Sequence, residues 1–246
     1  MSVAGELRAP ATLAEATVLQ SAVLEDLRSA VNHNRWLLAL SEPWLGDDPL
    51  EIGSGLGEAA AIWAADGRKM TASEADPGRL VRLRERFDGH PTVRVRELTV
   101  PIRESADHSA VIALNVLEHI EDDVAALRDF ARLVRPGGRI VLIVPAFEQA
   151  MSNFDRKIGH FRRYRVPTMT ATLRRAGLRP VKVTYVNSIG LLGWMLLVKA
   201  LNGEPREGLP LKIYDRWCVP VLRRVEGRIR VPFGQSVFAV AETPAE

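Results

Sequence analysis

Three glycines at alternate positions, Gly53, Gly55 and Gly57, follow a short apolar segment and precede a helix-like one. Glycine lets a ligand approach the backbone closely, and the free N–H groups at the start of a helix attract anionic groups. A glycine-rich turn without a ligand would show the same spacing. The strand before the loop and the helix after it favour a ligand-binding loop instead.

The side chains around this loop narrow the choice of ligand. A dinucleotide fingerprint needs Gly or Ala where this chain has Glu58, which disfavours a dinucleotide oxidoreductase. Glu51 suits a ligand with an ammonium group, and Glu74, at the end of the second predicted strand, suits the hydroxyls of a ribose. The predicted ligand therefore has an ammonium group, a carboxylate and a ribose. S-adenosylmethionine has all three.

Two further segments carry residues suited to group transfer. His119 follows the fourth predicted strand in the run Asn115-Val116-Leu117-Glu118-His119-Ile120, where it can serve as a base for a protonated acceptor or position the loop. His160 and Tyr164 lie in an aromatic, basic segment and suit contact with an acceptor, or anchor that segment to the core. No metal site is expected.

Strand-like and helix-like segments alternate through the middle of the chain, with short loops between them. Right-handed crossovers then favour a parallel sheet covered by helices on both faces. We predict an α/β, doubly wound, mostly parallel seven-stranded sheet, with an N-terminal helical extension and an insertion after the fifth strand. The predicted strands are 49–52, 70–73, 92–97, 110–115, 139–144, 181–186 and 236–241, and the predicted helices between them are 58–65, 77–87, 123–134 and 167–176.

We expect one domain over residues 1–246, with three parts. These are an N-terminal helical lid (1–45), a cofactor-binding half (46–145) and an acceptor-side half (146–246). Asn34 and Trp36 of the lid are candidates for acceptor contact, although a tryptophan at such a position often packs as core. The polar cluster 32–35 interrupts the helical pattern, and residues 201–230 look irregular and basic.

The composition is that of a folded protein, with 47% hydrophobic residues and 26% charged residues among 246. The single cysteine, Cys218, excludes an internal disulfide and a four-cysteine zinc site, and suggests a reducing, cytoplasmic compartment. Residues 1–10 do not read as a signal peptide, and the longest apolar run, 189–198, is too short for a transmembrane segment. A net charge of +3 does not support a nucleic-acid partner, and the oligomeric state stays open.

Together these motifs resemble the class I, Rossmann-like S-adenosylmethionine-dependent methyltransferases of small-molecule type. The resemblance covers about 50–187 and rests on the glycine loop, Glu74, the run that contains His119, and Arg135-Pro136-Gly137-Gly138-Arg139. It implies that His119 and His160 are catalytic and that Asn34, Trp36 and Tyr164 meet the acceptor. The implied cofactor-binding residues are Glu51, Gly53, Ser54, Gly55, Gly57, Glu74, Leu98, Thr99, Asn115 and Val116.

The expected reaction is methyl transfer from S-adenosylmethionine to oxygen or nitrogen of a small molecule, such as a specialised metabolite. An alternative enzymatic function is methylation of a sugar, a lipid-linked compound or RNA. A non-enzymatic alternative is a partner subunit that binds the cofactor without its own catalysis.

Overall fold

The computed structural model describes residues 19–22, 25, 29–201, 203 and 208–245. One seven-stranded sheet has the strand order β3-β2-β1-β4-β5-β7-β6. Its strands are β1 Pro49–Ile52, β2 Met70–Glu74, β3 Val93–Glu97, β4 His108–Leu114, β5 Val134–Pro145, β6 Arg179–Val186 and β7 Ser236–Glu242. The predicted doubly wound, mostly parallel sheet is confirmed, since only β7 runs antiparallel to its neighbours.

The helices that cover the sheet mostly have the predicted bounds. They are α1 Val31–Ser41, α2 Glu58–Ala65, α3 Pro77–Arg86, α4 Asp123–Arg132, α5 Asn153–Lys157, α6 Val166–Arg175, α7 Ser188–Gly193, α8 Leu209–Ile213 and α9 Val219–Glu226. A π-helical segment, Trp194–Ala200, continues α7, and another, Tyr214–Cys218, joins α8 to α9. Short 3₁₀ turns lie at Glu42–Trp44, Leu117–His119 and Glu148–Ala150.

The strand order reverses at β1, which pairs with β2 on one side and with β4 on the other. Leu50 lies opposite Thr71 of β2 and opposite Val111 of β4, in parallel register with both. The loops that leave the carboxyl ends of β1 and β4 turn to opposite faces, so a crevice opens between them. Ligands of doubly wound sheets bind at this position.

Two apolar layers, one on each face, hold the helices to the sheet. On one face, Phe130 of α4 and Met169 of α6 are fully buried, and on the other, Trp63 of α2 and Leu83 of α3 are buried. Burying side chains of this size contributes about 1.5–3 kcal/mol each. The sheet edge that carries the crevice is therefore held from both sides.

Helix α1 is docked on the C-terminal helices by a carboxylate. Asp215 accepts hydrogen bonds from the backbone N–H groups of Asn32 (3.0 Å) and His33 (2.8 Å), and so caps a helix whose own N-cap residue, Ala30, has no capping side chain. The polar residues 32–35 form the first turn of α1, so this cluster interrupts the apolar spacing but lies within the helical segment predicted before the sheet. The rest of the predicted lid, 1–18, 23–24 and 26–28, lies outside the described residues.

The expectation of irregular structure at 201–230 is wrong, since residues 209–226 are helical. Pro210 stands in the first turn of α8, where a missing N–H leaves no hydrogen bond unmade, and Pro220 lies where the π-helical segment Tyr214–Cys218 passes into α9. Across the ranges that the structure describes, every helix is too short or too polar to cross a membrane.

The Asp215 cap can be tested by its contribution to stability. We expect Asp215→Ala to lower the free energy of unfolding by about 2 kcal/mol, because two N–H groups at the start of α1 lose their acceptor. Urea unfolding followed by circular dichroism measures this change. Asp88→Ala, at an exposed loop position, is the control and should change it by less than about 0.5 kcal/mol. Equal effects of the two substitutions would contradict the capping role.

Candidate active site

The glycine loop after β1 is closed by its own hydrogen bonds. The N–H of Ser54 donates to the Ser73 carbonyl (2.7 Å), and the N–H of Gly57 donates to the Ser54 carbonyl (2.8 Å). The N–H of Gly55 donates to Glu74 Oε2 (2.8 Å). These three N–H groups hold the loop against β2 and do not point free into the crevice, in contrast to the predicted open anion cradle.

Two of the glycines are required by close packing. A Cβ on Gly53 would lie 2.8 Å from Val116 Cγ2, and one on Gly57 would lie 2.6 Å from the Phe87 ring. Both residues also have positive φ, +68° and +79°. Gly53 thus brings the loop after β1 against the loop after β4, while Gly57 lets α3 pack on the start of α2.

Glu51 is a buried acid at the carboxyl end of β1, with 3% of its surface exposed. Ser54 hydrogen-bonds the carboxyl group, but Oε2 has no hydrogen-bond partner among the described residues. Burial raises the pKa of Glu51 to about 7, and the nearby Glu74 carboxylate adds to this effect. A buried acid with one free oxygen at the crevice suits a cationic ligand group, as predicted for an ammonium.

Glu74 is fully engaged by its own chain. Besides Gly55, it accepts hydrogen bonds at Oε1 from the N–H groups of Ala75 (3.0 Å) and Asp76 (2.9 Å) and from the Arg79 guanidinium (3.2 Å). The predicted ribose contact therefore requires Arg79 to release Oε1. In this structure Glu74 ties the glycine loop to the start of α3.

The remaining predicted cofactor residues lie at the same edge of the sheet but differ in exposure. Leu98 is buried in the core and donates its N–H to the Glu74 carbonyl (3.3 Å), whereas Thr99 is exposed. Asn115 is exposed after β4 with φ +53°, and Val116 beside it packs on Gly53. The structure thus gathers the predicted set around the ends of β1 to β4, with Leu98 below the surface of the crevice.

Beyond Val116, the 3₁₀ turn Leu117–His119 brings an acid and two histidines together. One ligand-type atom each of Glu118, His119 and His160 lies within 4.8 Å of the others. The rings of His119 and His160 meet edge to face, with centroids 4.5 Å apart, and His160 Nε2 lies 3.9 Å from Glu118 Oε1. We call these three side chains the Glu-His-His cluster. The two predicted catalytic histidines, far apart in sequence, are neighbours.

The Glu-His-His cluster is largely shielded from solvent. Glu118 is fully buried, and neither of its carboxyl oxygens has a hydrogen-bond partner within the described ranges. Burial raises the pKa of Glu118 to about 7. Burial, together with the neighbouring His160, lowers the pKa of His119 to about 3, so this ring is neutral.

Asp155 orients His160 from the other side of the ring. Its Oδ1 lies 2.9 Å from His160 Nδ1 and accepts from the Arg163 guanidinium (2.7 Å), while Oδ2 accepts from the Ser152 hydroxyl (2.7 Å). Burial opposes ionisation of Asp155, but the contacts with His160 and Arg163 outweigh it and hold its pKa well below its usual range. The His160 ring thus lies between Asp155 and Glu118, although its Nδ1 makes no well-formed hydrogen bond within the described residues.

Tyr164 anchors the segment that carries His160. The side chain is buried in the core, and its hydroxyl donates to Asp123 Oδ2 (3.0 Å) at the start of α4. Arg163 donates to the Ala146 carbonyl (3.2 Å), and the N–H of Phe161 donates to the Glu118 carbonyl (2.8 Å). The structure therefore supports the anchoring role that the sequence left open for Tyr164, in place of the acceptor contact.

Trp36 and Asn34 lie on α1. Trp36 is 3% exposed and packs on Val219 and Leu222 of α9, and the Asn34 side chain hydrogen-bonds His33. Trp36 thus packs as core, the alternative to its predicted acceptor contact, while the acceptor contact of Asn34 stays a prediction. Among the described N-terminal residues, Gln20 reaches the Glu-His-His cluster.

Gln20 bridges three parts of the site. Its Nε2 donates to the Ile158 carbonyl (2.6 Å) and lies 3.4 Å from His119 Nδ1, and its Oε1 accepts from Arg79 (3.4 Å). Arg79 in turn holds Glu74. Sequence reasoning missed Gln20 and Arg79, because nothing in their local pattern distinguishes them from solvent-facing helix residues. Glu118 and Asp155 could have been found from sequence, since each lies beside or near a predicted catalytic histidine.

The chain is similar to known methyltransferases. Residues 50–140 match the family model described as a methyltransferase domain. An uncharacterized methyltransferase of Mycobacterium bovis is 28% identical over 201 residues, 76% of each protein. The malonyl-[acyl-carrier protein] O-methyltransferase of Serratia marcescens is 30% identical over 105 residues, 43% of this chain and 41% of that protein.

Solved structures show the same fold. A chain of the Haloferax volcanii complex between the Trm112 methyltransferase activator and a methyltransferase superposes with TM-score 0.61 and 16% identity, over 95% of this chain and 96% of that one. Geranyl diphosphate C-methyltransferase of Streptomyces coelicolor superposes with TM-score 0.59 and 12% identity, over 84% and 79%. The chain is thus similar to methyltransferase domains over residues 50–140 and shares their fold.

Proposed function

We propose that this protein binds S-adenosylmethionine in the crevice between β1 and β4 and transfers its methyl group to oxygen or nitrogen of a small molecule. The observation that carries the proposal is the buried Glu51 carboxyl group at the carboxyl end of β1, beside the glycine loop. Its Oε2 has no hydrogen-bond partner in the part of the chain that the structure describes. A buried carboxyl oxygen without a donor is costly, and a ligand ammonium would satisfy it.

The residues around Glu51 fit the rest of this cofactor. Glu74 offers a carboxylate for the ribose once Arg79 leaves Oε1, and the exposed Thr99 and Asn115 line the same edge. Leu98 supports the adenine side from the core, and Gly53 keeps the crevice free of a side chain. The cofactor supplies a methyl group on a sulfonium, which is already activated for transfer.

The chain's own part in catalysis is then mostly alignment. In-line transfer needs the acceptor atom held at close range, and a neutral amine needs no base. A hydroxyl acceptor needs a group beside it that accepts or stabilises its charge. The Glu-His-His cluster lies after β4 on the far side of Val116 from Gly53, where it can meet such an acceptor.

A small acceptor is favoured because the described chain is one sheet with its helices and no added recognition domain. The Streptomyces coelicolor neighbour acts on geranyl diphosphate, and the Serratia marcescens relative on a malonyl group of a carrier protein. Both support a small or carrier-bound acceptor, with a specialised metabolite, a sugar or a lipid-linked compound in that range. We place the reaction in the cytoplasm on the basis of the single cysteine.

A partner-dependent role is the second candidate. The Haloferax volcanii neighbour comes from a complex with a methyltransferase activator. This role would be favoured if the isolated chain bound the cofactor without transferring a methyl group and an associated protein restored the transfer.

The Glu51 contact predicts a pH-dependent affinity for S-adenosylhomocysteine, the reaction product. The ammonium group binds the ionised form of Glu51, so affinity falls as pH drops below the raised pKa of about 7. We expect binding at pH 5.5 to be about tenfold weaker than at pH 7.5. Calorimetry at the two pH values measures this change.

A substitution of Glu51 distinguishes its contribution to the pH dependence of binding from that of other titrating groups. Glu51→Gln should weaken binding at pH 7.5 by about 10- to 100-fold, the loss expected for a charge-assisted hydrogen bond, and should remove most of the pH dependence. Glu85→Gln, at an exposed position of α3, should behave like the parent chain. Parent-like affinity of Glu51→Gln at pH 7.5 would show that the ammonium group lies elsewhere.

A further inference from the structure

The Glu-His-His cluster has the features of a metal site, in contrast to the expectation from sequence. Both oxygens of Glu118 are buried without a hydrogen-bond partner in the described chain, and two imidazoles lie beside them. Protonation alone would not satisfy this group, because the carboxyl O–H and the carbonyl oxygen would both stay unpaired. A bound cation would satisfy both.

The second layer of contacts supports the same reading. Asp155 lies 2.9 Å from His160 Nδ1 and leaves Nε2 facing Glu118, 3.9 Å from Oε1. Metal-binding imidazoles usually have a carboxylate beside their far nitrogen, and Asp155 occupies that place without a well-formed hydrogen bond to Nδ1 in the described chain. Arg163 and Ser152 hold Asp155 in position.

We propose that Glu118, His119 and His160 bind one divalent first-row transition-metal cation. Two imidazoles and one carboxylate suit such a cation and leave open positions for a ligand. The inference of a metal site depends on these side chains alone. A role of the metal in holding an acceptor oxygen would rest on the proposed function.

Cobalt(II) is the probe, because its visible absorption reports nitrogen and oxygen ligands. After treatment with a chelator, the full chain should bind one Co²⁺ per molecule, and Zn²⁺ should displace it. Glu118→Gln and His160→Ala should each weaken binding at least tenfold. The matched controls are Glu121→Gln, in the same loop, and His90→Ala, remote in sequence, and both should bind like the parent chain.

Two readouts keep this test independent of folding and of activity. Paramagnetically shifted imidazole signals of the parent chain report two histidine ligands without any substitution, and circular dichroism shows which variants fold. Absence of a saturable 1:1 site in the parent chain, or unchanged binding in folded Glu118→Gln, would overturn the proposal. Titration of the same metal-free chain with S-adenosylhomocysteine tests the proposed function separately.

Discussion

The contact between Gly53 and Val116 is the constraint on which the site depends. A methyl group on Gly53 would lie 2.8 Å from Val116 Cγ2, so the loops after β1 and β4 approach each other only because this position has no side chain. Gly53 follows Glu51 closely in the sequence, and Val116 closely precedes Glu118 and His119. A single packing requirement thus sets how closely these two loops approach at the point where the strand order reverses.

The buried acids of this molecule fall into two groups. Glu74 and Asp155 are saturated by backbone N–H groups, arginines and a hydroxyl, and they hold the loops in place. Glu51 and Glu118 are equally buried but keep oxygens without partners among the described residues. Folding alone does not explain the second group, since an unpaired buried acid destabilises the native state. Both lie at the crevice, which is where ligands would complete their contacts.

The sheet could be predicted from the sequence because its signals are local. Apolar runs that end in glycine or proline gave strands such as β1 within a residue or two of their observed bounds, and Pro77 marked the start of α3. The helices at 209–226 were missed because Pro210 and Pro220 break the apparent pattern. Pro210 occupies a first turn, where proline is tolerated, and Pro220 follows a π-helical segment.

The edge that carries the predicted cofactor residues could also be derived from sequence, because these residues follow consecutive strands whose carboxyl ends share one edge. Their contact with a cofactor stays a prediction. The proximity of His119 and His160 could not be derived, since it arises only through a long connection pinned by Asp155 and Arg163, and Gln20 reaches the same place from the N-terminal segment. Such long-range contacts have no periodic signal. For Tyr164 and Trp36 the sequence left both an acceptor contact and a place in the core open, and the structure places both side chains in the core.

The identity of the cofactor is tested most directly by side-by-side calorimetry of the purified chain with S-adenosylmethionine, S-adenosylhomocysteine and NADH. Our account predicts saturable 1:1 binding of the two sulfur compounds and no heat of binding with NADH. Binding of NADH without the sulfur compounds would contradict it and would move the function from methyl transfer to hydride transfer.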